Sequence, residues 1–191
     1  MASPKGATIK IRRVLPALAW AGLALACSAW FAADVVRFGW SDTWREGAFL
    51  LGLVWVTWLL WGAPVLVLTS RGIHVRNAWW IHDVEWGALV RTKRRFGLVL
   101  VTTARECAVS AAPARSGIAV TLGPRSTTPD VSVSMEGTRR LSLSAHDAGI
   151  VLERYRESAG TEAGSAVRRR LNPVTIVLTF VTAAWVLAAI V

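Results

Sequence analysis

The sequence predicts an α+β membrane protein, with three transmembrane helices and a small antiparallel β-barrel or sandwich capped by a C-terminal helix. The first observation is three long apolar runs without charge, at residues 14–33, 48–68 and 174–191. The second is a middle segment of short runs rich in Val, Ile, Leu and Thr, separated by Gly, Pro or charged residues, which is typical of antiparallel sheets. In a chain of 191 residues this leaves room for one compact water-facing domain.

Each apolar run is long enough to cross a bilayer as a helix. At ~1.5 Å per residue the runs reach about 27 to 31 Å, close to the hydrocarbon thickness of ~30 Å. A basic segment precedes the first run, as in a signal peptide, but a run of about twenty residues favours a retained helix; cleavage is the alternative. The predicted order is a basic cytoplasmic arm (1–13), helix (14–33), extracytoplasmic loop (34–47), helix (48–68), β domain with a terminal helix (69–158), linker (159–171) and helix (172–191).

The net charge of +10 is concentrated beside the apolar runs. Four basic residues precede the first run, and Arg168, Arg169 and Arg170 precede the third, where we expect a membrane-surface anchor. Basic residues near span ends favour the cytoplasmic side, so the arm and the β domain are predicted to be cytoplasmic and the C-terminus outside a cell membrane. Residues 69–165 carry thirteen basic and nine acidic residues, too small an excess to indicate nucleic-acid binding.

Small residues in the first run and tryptophans in the second predict how the helices pack. Small side chains recur at helical spacing at Ala19, Gly22, Ala26 and Ala29, and bulky ones at Trp55, Trp58 and Trp61. Small residues let another helix approach closely, so the tryptophans are expected to fill the groove beside them. A second small stripe, at Ala17, Ala21, Ala24 and Ser28, leaves the rotation of the first helix open. Contact with a protein partner, or self-association through the spans, is the alternative role of the tryptophans.

Turn and capping signals predict several local features. Ser70, Arg71 and Gly72 predict one hairpin turn, and Glu136 with Gly137 predicts another. Ser144 followed by Asp147 three residues later predicts the start of the terminal helix. Asn172 followed by Pro173 predicts the start of the last helix.

The candidate contact residues are four basic side chains and two tryptophans in the β domain: Arg91, Lys93, Arg94, Arg95, Trp79 and Trp80. On a strand, residues 91, 93 and 95 would share one face and form a cationic strip suited to anionic phospholipid or an acidic partner. A solvated edge that discourages sheet aggregation is the alternative. The two tryptophans would point to opposite faces, one into the core and one half-exposed.

No residue pattern indicates catalysis, a metal site or a cofactor. The histidines, His74, His82 and His146, are accompanied by no nucleophile motif, paired carboxylates, Gly-rich phosphate loop or metal-binding helix motif, and they are interpreted as surface or turn residues. Cys27 and Cys107 fall in different predicted compartments, so no disulfide is expected. The sequence therefore predicts a protein that is not an enzyme.

The strand of residues 65–77, its turn at Gly72, the Arg76-Asn77 pair at its end and Trp86 before the next Val-rich strand carry a family resemblance. In these features the chain resembles the bacterial pleckstrin-homology-like membrane proteins of actinobacteria. The resemblance covers roughly residues 65–158 and implies a pleckstrin-homology-like fold. The family often has Pro before the tryptophan, where this chain has Glu85, and a third span is not a family feature. Because the family's biochemical role is poorly defined, the resemblance implies a fold and little else.

These observations lead to three functional hypotheses. The first is a non-enzymatic interaction or scaffold module in a membrane protein complex, with the bilayer and a protein as its partners. The second is a module that binds or senses anionic lipid through the basic strip, and the third is an accessory subunit of a transporter or membrane enzyme. Charge reversal at Arg91, Lys93 and Arg95 distinguishes the first two, because only lipid binding requires those charges.

Overall fold

The computed structural model describes residues 8–113, 138–159 and 164–191, and it confirms an α+β fold. The strands are β1 (Thr8–Ile11), β2 (Val65–Thr69), β3 (Gly72–Arg76), β4 (Trp80–Glu85), β5 (Leu89–Lys93), β6 (Leu98–Thr102), β7 (Glu106–Val109), β8 (Thr138–Leu141) and β9 (Val167–Leu171). The helices are α1 (Val14–Phe38), α2 (Trp40–Trp61), α3 (Ala145–Ala159) and α4 (Pro173–Ile190). They form two compact units: a β unit of residues up to 13 and 64–170, and a helical unit of residues 14–63 and 171–191.

The β unit contains a six-stranded sheet in the order β8-β1-β2-β3-β4-β9 and a three-stranded sheet in the order β5-β6-β7. Antiparallel pairs join β1 to β2, β2 to β3 and β3 to β4, while β1 and β8 run parallel. Both pairs of the smaller sheet are antiparallel. The predicted antiparallel pairing is therefore present in both sheets, and β1 with β8 departs from it.

Two strands lie where the sequence predicted a basic arm and a linker. Residues 1–13 were expected to be an arm, but β1 places Ile9 and Ile11 in the core, at 5% and 0% exposure. The alternation of Thr8, Ile9, Lys10 and Ile11 has the period of a half-buried strand. Residues 159–171 were expected to be a linker, but β9 lies beside β4 at the edge of the six-stranded sheet.

Both sheets and α3 contribute to one hydrophobic core. At its centre Trp86, 1% exposed, begins a short 3-10 helix and stacks on Tyr155 of α3, with ring centroids 5.4 Å apart. Its indole N–H donates to the Thr69 carbonyl at 2.9 Å, so the buried polar end is satisfied. Ile11, Leu66 and Leu100 are fully buried around it. The β unit thus buries its apolar side chains in the ordinary way of a water-soluble domain.

Asn77 links the two sheets of the β unit. Its side-chain amide donates to the Ala108 carbonyl at 2.7 Å, and its side-chain oxygen accepts from the Ser110 N–H at 3.1 Å. An asparagine side chain reproduces both hydrogen-bonding groups of a peptide. The Asn77 side chain therefore pairs with the backbone at the end of β7 as a strand residue would, and it joins the end of β3 to β7.

The local predictions agree with the structure where it describes them. Gly72 pairs with Thr69 across the β2–β3 turn, and the Asp147 N–H donates to Ser144 Oγ at the start of α3. The Asn172 side chain accepts from the Thr175 N–H at the start of α4, with Pro173 next to it. The turn predicted at Glu136 and Gly137 lies outside the described residues.

The first two helices form a hairpin with a turn of one residue. The sequence predicted a loop at 34–47, but α1 continues to Phe38 and α2 begins at Trp40. Between them Gly39 has a φ of 81°, a conformation that glycine adopts without steric cost. The predicted second span, 48–68, is wrong at its end, because Pro64 follows α2 and Val65 begins β2. An apolar run cannot by itself distinguish a helix from a buried strand.

Two helices, α1 and α4, are long and apolar enough to cross a membrane. The sequence predicted three. Helix α2 carries Asp42, Arg45 and Glu46 in its first two turns and ends at Trp61, so it is more polar than the predicted run. By length and composition the part of the chain that the structure describes therefore supplies two candidate spans.

Helix α1 packs on α2 through different residues from those predicted. Ala19, Gly22, Ala26 and Ala29 are all exposed, and no heavy atom lies within 4 Å of a Cβ built on Gly22. The close approach is at Gly47 of α2, which faces the Phe31 ring of α1. Trp20 of α1 donates to the Val54 carbonyl of α2 at 3.0 Å. Large side chains of α1 therefore meet a small residue of α2, the reverse of the prediction.

The tryptophan stripe of α2 connects it to α4 instead of filling a groove in α1. Trp55 donates to Thr179 Oγ1 of α4 at 3.0 Å and stacks on Trp58, with ring centroids 4.8 Å apart. Trp55, Trp58 and Trp61 are half-buried. Gly52 also faces α4, at Val186. Helix α2 thus lies against both of the other helices of its unit.

Candidate interaction surface

The hairpin of β5 and β6 carries the four basic candidates. Arg91 and Lys93 lie opposite Val101 and Val99 in the register, so the two cations share the outer face of the small sheet. The pairing shifts between Leu89 and Arg91, which marks a β-bulge at Val90. Since β5 ends at Lys93, Arg95 lies in the connection to β6 and does not extend the strand face.

Two of the four cations are paired with acids of the same unit. Lys93 Nζ forms an ion pair with Glu106 of β7, and Arg94 forms one with Glu153 of α3. Glu153 also accepts from the Thr92 hydroxyl at 3.1 Å. The hydrogen bond from Arg94 lowers the pKa of Glu153, while partial burial acts in the opposite direction. Lys93 and Arg94 therefore brace the hairpin and contribute little free charge.

The other two cations flank exposed apolar side chains. Among the described residues no carboxylate forms an ion pair with the Arg91 or Arg95 guanidinium. The Arg95 guanidinium lies 5.1 Å from the centre of the Phe96 ring. Phe96 is 87% exposed and Val90 is 56% exposed. We call Arg91, Arg95 and Phe96 the hairpin patch; Val90 lies at the other end of β5, where Leu89 pairs with Thr102.

The tryptophan pair lies on the surface of the β unit. Trp79 is 40% exposed, and Trp80 is half-buried under the Arg169 guanidinium, 3.3 Å from the ring centre. Neither belongs to the core, so the expectation that one of them would is wrong. Trp86 takes that position instead.

The arginine triplet lies on β9 and contacts its neighbours in the sheet. Arg169 covers Trp80, and Arg170 Nε lies 3.7 Å from Asp83 Oδ2. The other oxygen of Asp83 is paired with His74. Arg168, which alternates with Arg169 along the strand, lines a shallow pocket of about 170 Å³ beside Arg71 and Glu85. A membrane-anchoring role for the triplet stays a prediction.

A histidine and a cysteine form a buried pair. His82 Nδ1 lies 3.4 Å from Cys107 Sγ, and the two residues are 7% and 1% exposed. Burial lowers the pKa of His82, helped by Arg169 and Arg105, and burial raises the pKa of Cys107. Both shifts favour neutral groups, so the pair is a thiol and an imidazole and not the thiolate and imidazolium of a nucleophilic site. The prediction that His82 is a surface or turn residue is wrong.

The sequence contained a turn signal at Phe96 and Gly97 that could have predicted an exposed aromatic residue, but the prediction for this segment rested only on its charges. An aromatic residue directly before Gly97, whose φ is 117°, stands at the tip of a hairpin. Nothing in the sequence marked the contact of Arg169 with Trp80, because it depends on β9 lying beside β4. Comparisons of the chain with protein-family models, curated proteins and solved structures found no match.

Proposed function

We propose that the chain is a non-enzymatic, membrane-anchored interaction module, in which a pleckstrin-homology-like β unit is held beside the cytoplasmic surface of a cell membrane to bind a protein partner. The observation that carries this proposal is the pairing of β1 with β2. Ile9 and Ile11 lie opposite Leu68 and Leu66, although α1 and α2 separate the two strands along the chain.

The strand pairing supports an even number of membrane crossings between Ile11 and Val65. Strands joined by hydrogen bonds must lie on the same side of a membrane. If α1 crosses, the chain must cross back before β2, and α2 is the helix available to do so. Helix α4 then makes a third crossing. Trp55 suits α2 to this role, because an indole ring tolerates an apolar setting when its N–H is bonded.

Short connections favour a module that stays at the bilayer surface. Residues 12–13 join β1 to α1, residues 62–64 join α2 to β2, and Asn172 alone joins β9 to α4. So few residues span only ~10 Å at full extension. The basic residues before α1 and α4 favour the cytoplasmic side for the β unit.

Impermeant thiol labelling tests the anchoring. In a Cys27→Ala background, Ser41→Cys should react with a membrane-impermeant maleimide on intact cells, whereas Ser165→Cys should react only after lysis. The side chains at both positions are exposed, so the protein itself does not block their labelling. Labelling of both positions from the same side would contradict a crossing by α1 and α2.

Intact-mass measurement after gentle extraction from the native membrane tests the interaction function. A protein partner in fixed stoichiometry is the expected result, and it should persist when Arg91, Lys93 and Arg95 are reversed to Glu. A chain that is repeatedly recovered without a protein partner would contradict the proposal. Anionic phospholipid retained instead of protein, and lost in the charge-reversed variant, would favour a lipid-binding module, which the free charge of Arg91 and Arg95 supports as the second candidate.

A further inference from the structure

The hairpin patch contains the most exposed of the large apolar side chains that the structure describes in the β unit. Three such side chains are exposed: Trp79 at 40%, Val90 at 56% and Phe96 at 87%. Phe96 lies at the tip of the β5–β6 hairpin, whereas Val90 lies at the other end of β5. An exposed phenylalanine at a hairpin tip contributes nothing to the core of its own domain. Its side chain is therefore available to contact another surface.

The charge of the patch is unpaired within the part of the chain that the structure describes. Glu106 and Glu153 neutralise Lys93 and Arg94, but no described acid pairs with Arg91 or Arg95. The segment of residues 89–98 contains no Asp or Glu of its own. Free cations beside exposed apolar groups match an anionic bilayer surface, where arginines meet phosphates while the apolar side chain enters the hydrocarbon boundary.

The hairpin is held in shape before any contact. Arg94 lies across α3, where a Cβ on Gly149 would meet its side chain, and it is bonded to Glu153. Thr92 donates to the same carboxylate. Because these bonds fix the base of the tip, docking loses less conformational entropy than ordering a free loop would.

We propose that Phe96 inserts into the interface of an anionic bilayer, with Arg91 and Arg95 on the lipid phosphates, so that the hairpin patch fixes how the β unit rests on the membrane. This inference rests on the proposed anchoring of the β unit at the bilayer. It assigns the tip of one hairpin, and not the whole basic strip, as the membrane contact.

The β6–β7 turn provides a matched control for the tip. Ala104 is exposed in that turn, at the opposite end of β6 from Phe96, roughly 15 Å away by the rise of a strand. In a Cys27→Ala background, Phe96→Cys and Ala104→Cys are each labelled with an environment-sensitive fluorophore in the full chain, reconstituted into nanodiscs. The Cys27→Ala protein, without an introduced cysteine, serves as the control that measures labelling at buried Cys107.

The proposal expects a blue shift at position 96, with quenching by spin labels on the acyl chains, in nanodiscs that contain anionic lipid. Position 104 should remain in water. The shift should decrease in purely zwitterionic nanodiscs and in the Arg91→Glu, Arg95→Glu double variant, but not in an Arg71→Glu, Arg105→Glu variant with the same change in net charge. Near-ultraviolet circular dichroism of each variant verifies that the β unit is folded.

A probe at position 96 that stays in water in anionic nanodiscs would overturn the inference. A blue shift of the same size in anionic and zwitterionic nanodiscs, and with or without the Arg91→Glu, Arg95→Glu change, would also overturn it. If the probe stays in water while Ser41→Cys and Ser165→Cys still label from opposite sides, this inference alone fails. If both experiments fail, the membrane anchoring itself is wrong.

Discussion

Ile11 and Leu15 lie four residues apart, in the β unit and the helical unit respectively, and their environments differ completely. Ile11 is 0% exposed and Leu15 is 79% exposed. The contrast extends from these two residues to the core of the β unit and the whole of α1. Ile11, Leu66 and Leu100 belong to a closed core, whereas α1 has no buried residue along its full length.

The difference agrees with the proposed anchoring, in which the two units are stable in different solvents. A helix that is apolar all round, with its apolar side chains exposed, is suited to lipid and not to water. In the β unit, burial of apolar area predicts which residues contribute to stability. In a helical unit that lies in lipid, as we propose, close approach and bonded indoles decide instead, since lipid supplies no hydrophobic force between helices.

The largest effect should follow from emptying the core of the β unit. Trp86→Ala removes a ring that is 1% exposed and leaves a cavity beside Tyr155, so we expect a loss of about 3–5 kcal/mol in the free energy of unfolding. Trp79→Ala, at a position 40% exposed, should cost about 0.5 kcal/mol or less. Urea unfolding in detergent, followed by protease susceptibility of the β unit, measures both; equal losses would contradict the assigned core.

A smaller effect should separate two glycines of the helical unit. Gly47→Ala places a Cβ against the Phe31 ring and should cost about 1–3 kcal/mol through overpacking. Gly22→Ala meets no heavy atom within 4 Å and should gain up to about 1 kcal/mol from helix propensity. Thermal unfolding of the helices in detergent, followed by circular dichroism, compares them. If Gly22→Ala destabilised the helices more than Gly47→Ala, the result would contradict this packing and support the small-residue face predicted from the sequence.

The smallest effect should be a pH dependence confined to the β unit. Burial, with Arg169 and Arg105, lowers the pKa of His82, whereas Asp83 opposes them. The unfolded chain then takes up a proton near the ordinary histidine pKa of about 6.5 before the folded chain does. The contribution of His82 to the free energy of unfolding should therefore be constant above that pH and fall as the pH decreases below it.

Urea unfolding from neutral pH down to about pH 5 checks this dependence. His82→Leu should flatten the profile. The helical unit contains no histidine and should show no such change over the same range. A profile that His82→Leu leaves as steep as before would show that another group is responsible.

Composition and period predicted the α+β class, the first hairpin turn and two helix caps, because these depend on neighbours in sequence. The same rules missed β1 and β9, since both are short and basic and pair with strands far along the chain. The pattern around Ile9 and Ile11 could have identified β1, but the four basic residues among residues 1–13 directed the interpretation to a membrane arm. The rotation of α1 about its own axis was not predictable, because its two stripes of small residues are equally suited to face another helix.

The candidate surface was predicted in part. The basic cluster at 91–95 stood out in the sequence, but the pairs of Lys93 with Glu106 and Arg94 with Glu153 depend on tertiary contacts. No local rule separates those two cations from Arg91 and Arg95. Likewise the buried pair of His82 and Cys107 is assembled from two different sheets.

Strand β1 is synthesised before its partners, yet in the finished sheet it lies between β2 and β8. Its antiparallel partner is made only after two helices, and its parallel partner only when Leu141 has been added. Pairing over such sequence separations must close long loops, which slows folding. The β unit is therefore completed late in translation, after the helices that interrupt it, and a nascent chain cut short before Leu141 would leave one edge of β1 open to pairing with other chains.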